Sequence, residues 1–146
     1  MSMYKIFETD PELETKGVVV DYGDFRVTVA RAGGANKRYA KVAETRSRPY
    51  RRAIENELLP NDRANELLME IYAEAAVLNW EVNKGTQDSP TWVQGIEARD
   101  GTILPFTYDN IMLTFRALPL LYEDLQKQSS KAALYRRELL EVEAKN

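Results

Sequence analysis

The chain has 146 residues, of which 44% are apolar and 29% charged, and its formal net charge is −3. That length suits one domain, and the apolar content is too high for a disordered protein. The absence of histidine and cysteine excludes imidazole bases, Ser-His-Asp triads, disulfides, thiolate nucleophiles and the usual zinc sites.

The charge is unevenly distributed along the chain. Nine of the twenty Lys and Arg residues lie between Arg26 and Arg52, where Glu44 is the only acid. This segment carries +8, whereas the remaining residues, with 11 bases and 22 acids, carry −11. A small protein with separated charge commonly has a partner whose charge it reads. The pattern therefore predicts a binding protein.

The sequence carries no recognisable membrane or export signal. No apolar run approaches the ~20 residues that cross a bilayer, and Met1–Lys5 lacks the core of a signal peptide. We therefore expect a soluble, cytoplasmic protein.

The N-terminal region, residues 1–35, predicts a β-hairpin. Val18–Val20 and Phe25–Val29 are rich in β-branched residues, and they flank a turn over Asp21–Asp24. Gly33-Gly34 ends this pattern, and Asn36 is a plausible N-cap for the basic helix that follows.

Residues 36–82 predict a basic helix followed by an acidic one. Pro49 interrupts the basic helix, and a further helical run is expected from Tyr50 to about Leu59. The clearest amphipathic helix comes next, and it spans about five turns. Its apolar positions are Ala64, Leu67, Leu68, Ile71, Tyr72, Ala75 and Leu78. Another face of this helix carries Glu66, Glu70 and Glu74.

The remaining chain predicts a polar loop, a short hairpin and C-terminal helices. Within residues 83–107, the loop is Asn83–Pro90, and a hairpin joins 92–96 to Ile103-Leu104 across an Asp100-Gly101 turn. Residues 108–146 predict two helices, the second from Leu120 to about Val142. The predicted fold is mainly α with one or two small β-hairpins: a single domain over residues 1–146, built as a helical bundle with an N-terminal hairpin.

Three small clusters permit functional interpretations, and each has a simpler one. Gly33-Gly34 before a helix could cradle a phosphate, but a turn is favoured. Asp21 and Asp24 could bind a metal, but acids in a four-residue turn commonly cap its backbone. The Glu66, Glu70 and Glu74 face resembles di-iron helices, yet a solvated face or one docking a basic partner is favoured. The sequence therefore predicts no catalytic residue, no metal site and no cofactor.

Two apolar features are also ambiguous. Trp80 and Trp92 flank the polar loop and could line a pocket, although packing that pins the loop ends to the core is favoured. Ala132-Ala133, beside Leu134 and Tyr135, could face a second subunit or the inside of the bundle. Periodicity does not separate these two alternatives, and a homo-oligomer stays open.

The basic run is the strongest candidate site. Arginines interleaved with Tyr39 and Tyr50 suit three roles: docking an acidic protein surface, neutralising the chain's own acidic helices, or contacting nucleic acid. The first is favoured, because exposed intramolecular pairs add only about 0–1 kcal/mol each. The predicted partner-binding residues are Arg38, Lys41, Arg46, Arg48, Arg51 and Arg52.

The order of elements resembles the tail assembly chaperones of long-tailed, siphovirus-type bacteriophages. The segments that carry the resemblance are Tyr4–Asp10, Asp21–Phe25, Ala30–Asn36, Leu78–Glu81, Asp100-Gly101 and Leu104–Thr107. Asn83–Pro90 and Thr91–Glu97 are longer than that family's pattern.

The resemblance implies a non-enzymatic late protein of the host cytoplasm. Such a chaperone holds the tape measure protein soluble through protein–protein contacts while tail tube protein polymerises around it, and it is absent from the virion. Members of the family often make a longer product by programmed frameshifting. The alternatives are a small nucleic-acid-binding protein using residues 26–52, and a structural tail or connector subunit.

Overall fold

The computed structural model describes residues 2–131 and Tyr135, which form an α+β fold. Its main sheet is antiparallel, with four strands in the spatial order β1-β2-β3-β4. These strands are β1 (Val18–Asp21), β2 (Phe25–Val29), β3 (Val77–Asn83) and β4 (Trp92–Gln94). A separate two-stranded sheet pairs β5 (Ile96–Glu97) with β6 (Ile103–Leu104).

The helices vary in length from short turns to four turns. Those of the described residues are α1 (Met3–Phe7), α2 (Pro11–Lys16), α3 (Lys37–Ser47), α4 (Arg51–Glu55), α5 (Asn61–Ala75), α6 (Tyr108–Ala117) and α7 (Pro119–Ser130). A 3-10 turn over Arg48–Tyr50 links α3 to α4 and contains Pro49. None of the helices in this part of the chain is long and apolar enough to cross a bilayer.

The predicted helical bundle with an N-terminal hairpin is wrong, and β3 is the reason. Ala75 and Leu78 continue the spacing of the amphipathic helix, but α5 ends at Ala75 and β3 begins at Val77. Only Ala76 separates them, so neither Gly nor Pro marks the change. Val77, Trp80 and Val82 of β3 are buried. By pairing with β2 and β4, β3 extends the N-terminal hairpin into a four-stranded sheet.

Both predicted hairpins are found. In the second, the residues predicted as the first strand divide between the two sheets. In the first, Val18 lies opposite Val29 and Val20 opposite Val27. In the second, Ile96 lies opposite Leu104. Trp92–Gln94 instead pairs with β3, so the polar loop 84–91 becomes the connection between two neighbouring strands of the main sheet.

The core lies between one face of the main sheet and helices α5, α6 and α7. Val27 and Trp80 project from the sheet onto Phe115, which also contacts Tyr72 and Tyr122 at ring-centroid distances of 6.0 and 5.2 Å. Burying each such large side chain stabilises the fold by about 1.5–3 kcal/mol. The core interpretation of Trp80 is therefore confirmed.

The other face of the sheet is polar. Arg26 lies opposite Glu81 and forms a 2.8 Å ion pair with it, while its guanidinium stacks 4.1 Å from the Trp92 ring. Trp92 is thus only partly buried. One buried and one solvated face is the common arrangement in antiparallel sheets.

The last predicted helix is shorter than expected. It ends at Ser130, because Lys131 has extended backbone angles. Tyr135 is buried, and its hydroxyl donates to the Val29 carbonyl at 3.3 Å, so this residue belongs to the core. Apart from Tyr135, the rest of the predicted helix to Val142, including Ala132–Leu134, lies outside the described residues.

Candidate partner-binding surface

The basic and acidic helices that were predicted from sequence pack against each other. Val42 of α3 contacts a buried stripe on α5 that contains Leu67, Ile71 and Ala75. At the start of α3, the Asn36 amide donates to the Ala75 carbonyl at 3.3 Å rather than capping its own helix. This packing decides which basic side chains face α5 and which face solvent.

Arg46 faces inward and neutralises the acidic helix. Its guanidinium lies 2.6 Å from a Glu74 oxygen and 3.7 Å from a Glu70 oxygen, and it stacks 4.9 Å from the centre of the Tyr108 ring. Only 28% of this side chain is exposed. The geometry therefore gives Arg46 an internal contact as well as its place in the predicted site.

Glu70 and Glu66, on the same face of α5, also form ion pairs with other cations of the chain. Arg63 lies 2.8 Å from Glu70 and donates to the Tyr50 hydroxyl, and these hydrogen bonds raise the pKa of Arg63. Arg116 on α6 lies 2.5 Å from Glu66, which raises the pKa of Arg116. The acidic face therefore contacts the chain's own cations. Among the described residues there is no group of three or more acids, His or Cys that could hold a metal.

Five of the six predicted cations form an exposed ridge. Arg38, Lys41 and Arg48 recur at spacings of three and seven residues, which places them on one side of α3, and the 3-10 turn over Arg48–Tyr50 then leads to Arg52 in α4. Arg51 adjoins Arg52. We call Arg38, Lys41, Arg48, Arg51 and Arg52 the cationic ridge. At about 1.5 Å per residue, it spans about 20 Å.

The ridge is only weakly neutralised within the chain. Arg38 lies 3.9 Å from Glu74 but is 64% exposed, and the one ion pair of Arg48 with a described residue is an exposed contact with Glu44 one turn away. Lys41, Arg51 and Arg52 form no ion pair with any described residue. The ridge is consequently a surface of positive charge that is accessible to a partner.

The buried Glu14 carboxylate lies against the Gly33-Gly34 turn, for which a phosphate site and a plain turn were the two predicted roles. That carboxylate accepts hydrogen bonds from the Thr9 hydroxyl, from the Ala35 N–H at 2.9 Å and from Arg31 at 3.0 Å. Burial alone would raise the pKa of Glu14, but these donors outweigh it and lower the pKa. The turn therefore holds an anion from within the chain. No periodicity in the polar residues 8–16 could have indicated this acid.

The Asp21–Asp24 turn has the simpler of its two predicted roles. The Asp21 carboxylate accepts from the Gly23 N–H at 2.8 Å, and Asp24 accepts from the Gln87 amide at 3.3 Å. The first bond closes the hairpin turn, and the second ties it to the polar loop. This arrangement confirms the interpretation of Asp21 as a turn former.

Two recesses beside the ridge were not predicted from the sequence. A cleft of about 320 Å³ includes Arg38, Glu74, Phe106 and Tyr108 in its lining. An apolar groove of about 420 Å³ lies between α4 and the first half of α5. Ile54 and Leu68, both in its lining, are 44% and 42% exposed. Leu68 was assigned to the apolar stripe, but periodicity does not tell an open groove from a filled core.

A comparison with known protein families identifies the family of the chain. The family described as YdaY prophage protein matches residues 34–146, a segment that contains α3, α5, the ridge and the groove. The chain belongs to this family. Its association with bacteriophages, predicted from sequence, is therefore confirmed. No curated protein matches the chain, and no solved structure does.

Proposed function

We propose that this prophage protein is a tail assembly chaperone that binds the tape measure protein and promotes tail tube polymerisation. It acts in the host cytoplasm, without catalysis, through contacts between its cationic ridge and an acidic partner surface. The observation that carries the proposal is the ridge itself: Lys41, Arg51 and Arg52 form no ion pair with the described part of the chain.

The physical properties of such a surface suit a transient holder. Exposed charges speed encounter with a partner of opposite charge and fix its orientation. They add little affinity once solvent and salt screen them. A partner held by several such contacts is displaced readily, as a chaperone requires when tube subunits arrive.

The test is co-expression with the tape measure and tail tube proteins of the same prophage, followed by affinity recovery of this chain. Recovery of the tape measure protein at about 0.15 M NaCl supports the proposal. Mass spectrometry of purified virions supplies the second readout, since a chaperone is absent from them. Presence at a fixed stoichiometry in the virion would instead identify a structural tail subunit.

Nucleic acid is the second candidate partner, and the same ridge favours it. Four cations on one side of a helical segment can contact successive phosphates, and the observed binding constant then falls steeply with salt. Electrophoretic mobility shifts with single- and double-stranded DNA at several salt concentrations test this alternative. A saturable shift, lost when the ridge arginines are replaced, would assign the surface to nucleic acid.

A further inference from the structure

The apolar groove between α4 and α5 has a lining suited to a docked chain. Its apolar residues are Ile54, Leu59, Ala64, Leu67 and Leu68. Beside it, Leu58 is 73% exposed, although it lies between residues that line the groove. Contiguous exposed apolar surface on a small protein commonly marks an interaction site.

The shape of the groove favours an α-helix as its occupant. Both walls are built from helix α5 and from α4 with the segment after it, so no strand edge within the groove offers backbone hydrogen bonds to an extended peptide. An amphipathic helix needs no such bonds, because its own backbone groups are satisfied internally. Its apolar side chains, one turn apart, would lie against Ile54 and Leu68.

The charged residues near the groove indicate which residues would flank the apolar stripe of that helix. Arg51 precedes Ile54 by three residues, which places the two side chains on neighbouring positions of α4. Arg51 forms no ion pair with the described residues, whereas Glu57 lies within the lining of the groove. A helix lying in the groove would therefore meet positive charge on one side.

We propose that this groove binds an amphipathic helix of the tape measure protein, one whose apolar stripe is flanked on one side by acidic residues that contact Arg51. This inference rests on the function proposed above and adds the part of the partner that is recognised. In this arrangement, the groove binds the apolar side chains of the partner helix, and the cationic ridge sets the orientation of that helix.

Cross-linking from a single introduced cysteine tests the occupant directly. Because the chain contains no cysteine, Leu58→Cys carries the only thiol and can be labelled with a photoactivatable maleimide. Leu120→Cys on α7, where Leu120 is 77% exposed, is the matched control. With the co-expressed tape measure protein, we expect cross-links from position 58 at partner residues three or four apart, next to acidic residues. The control position should give about a tenth of that yield or less.

A substitution in the groove provides an independent readout. Leu68→Glu should weaken recovery of the tape measure protein by at least about tenfold at about 0.15 M NaCl and still by about tenfold at about 0.5 M, because salt screens the repulsion between the new carboxylate and the acidic flank but not the loss of apolar contact. Leu113→Glu, at an exposed position on α6, should change recovery less than about twofold. Circular dichroism must show that both variants keep the fold.

The outcomes separate this inference from the proposed function. If the wild-type chain recovers the tape measure protein and Leu68→Glu recovers it equally, the groove is not the docking site, whereas the chaperone function stands. If the wild type recovers none, both proposals fail. Cross-links from position 58 to a second copy, or to residues 136–146 of the same chain, would assign the groove to those occupants and overturn the inference.

Discussion

The Glu14 carboxylate lies 2.9 Å from the Ala35 N–H, and this contact joins the N-terminal segment to the turn that begins the basic helix. Arg31 approaches the same carboxylate at 3.0 Å and donates its own N–H to the Glu14 carbonyl at 2.9 Å. Two links between residues 17 positions apart therefore hold α2 against the segment between β2 and α3. The Ala35 contact extends this anchor to the residues just before α3.

Replacing Glu14 with Gln should destabilise the protein by about 2–3 kcal/mol at pH 7, since a buried anion and its charge-assisted hydrogen bonds are lost. The effect depends on pH. The pKa of Glu14 is lowered in the folded state, so its contribution is complete above the ordinary glutamate pKa of about 4.3 and is lost as pH falls through the folded value.

Urea unfolding at a series of pH values measures this difference. The gap between wild type and Glu14→Gln should stay constant from about pH 7 to pH 5 and narrow below the ordinary glutamate pKa. Glu12→Gln, at an exposed position with one surface contact to Lys16, is the control and should change stability little at any pH. A gap that widened in acid would contradict the assignment.

Gly34→Ala should destabilise the protein through a collision with the same carboxylate. An added Cβ would lie 1.7 Å from a Glu14 oxygen, and the residue has φ +54°. We expect a loss of about 2–4 kcal/mol. Gly101→Ala, where φ is +89° and nothing lies within 4 Å, isolates backbone strain of about 1–2 kcal/mol.

A double-mutant cycle completes that measurement. In a Glu14→Ala background the carboxylate is gone, so Gly34→Ala should cost clearly less than it does in the wild type. Equal costs in the two backgrounds would show that the turn and the carboxylate do not interact.

Glu57→Gly should stabilise the protein. Glu57 has φ 57°, the left-handed conformation that costs a side-chain-bearing residue about 1 kcal/mol. Two hydrogen bonds impose it: Leu58 N–H to the Ala53 carbonyl at 2.7 Å, and Glu57 N–H to the Ile54 carbonyl at 3.1 Å. Thermal unfolding should show a higher midpoint for the glycine variant. A lower midpoint would mean that the Glu57 side chain contributes more than its backbone conformation costs.

Replacing Arg46 with Gln should destabilise the protein more than replacing Arg48 with Gln. Arg46 pairs with Glu74 and stacks on Tyr108, so its loss should cost about 1–2 kcal/mol. Within the described part of the chain, Arg48 forms an ion pair with Glu44 alone, at the surface, so its loss should change stability by less than about 0.5 kcal/mol. Chemical denaturation of the two variants side by side measures this, and equal losses would contradict the division between internal brace and ridge.

The local elements were predictable where one pattern dominated. The first of the two helices predicted over residues 108–146 is α6, and the Thr107 hydroxyl accepts from the Asn110 N–H at its start. The hairpin of β1 and β2 follows from β-branched runs around a turn. In both cases the signal lies within about ten neighbouring residues, and no distant contact competes with it.

Two features depended on distant contacts and could not be derived in this way. β3 continues the spacing of α5, and only its partners β2 and β4 make it a strand. The site shows the same limit: Arg46 and Arg48 are two residues apart and chemically identical, yet one faces α5 and the other faces solvent. The charge pattern located the basic surface but not which of its side chains were internally paired.

In the proposed function, the cationic ridge binds the tape measure protein. The most direct measurement is titration of a purified tape measure fragment into the wild type and into a triple variant with Lys41→Glu, Arg48→Glu and Arg52→Glu, using calorimetry at about 0.15 M and 0.5 M NaCl. We expect unchanged circular dichroism, affinity reduced about tenfold or more at the lower salt, and a smaller difference at the higher salt. Equal affinity of the two proteins at both salts would contradict it.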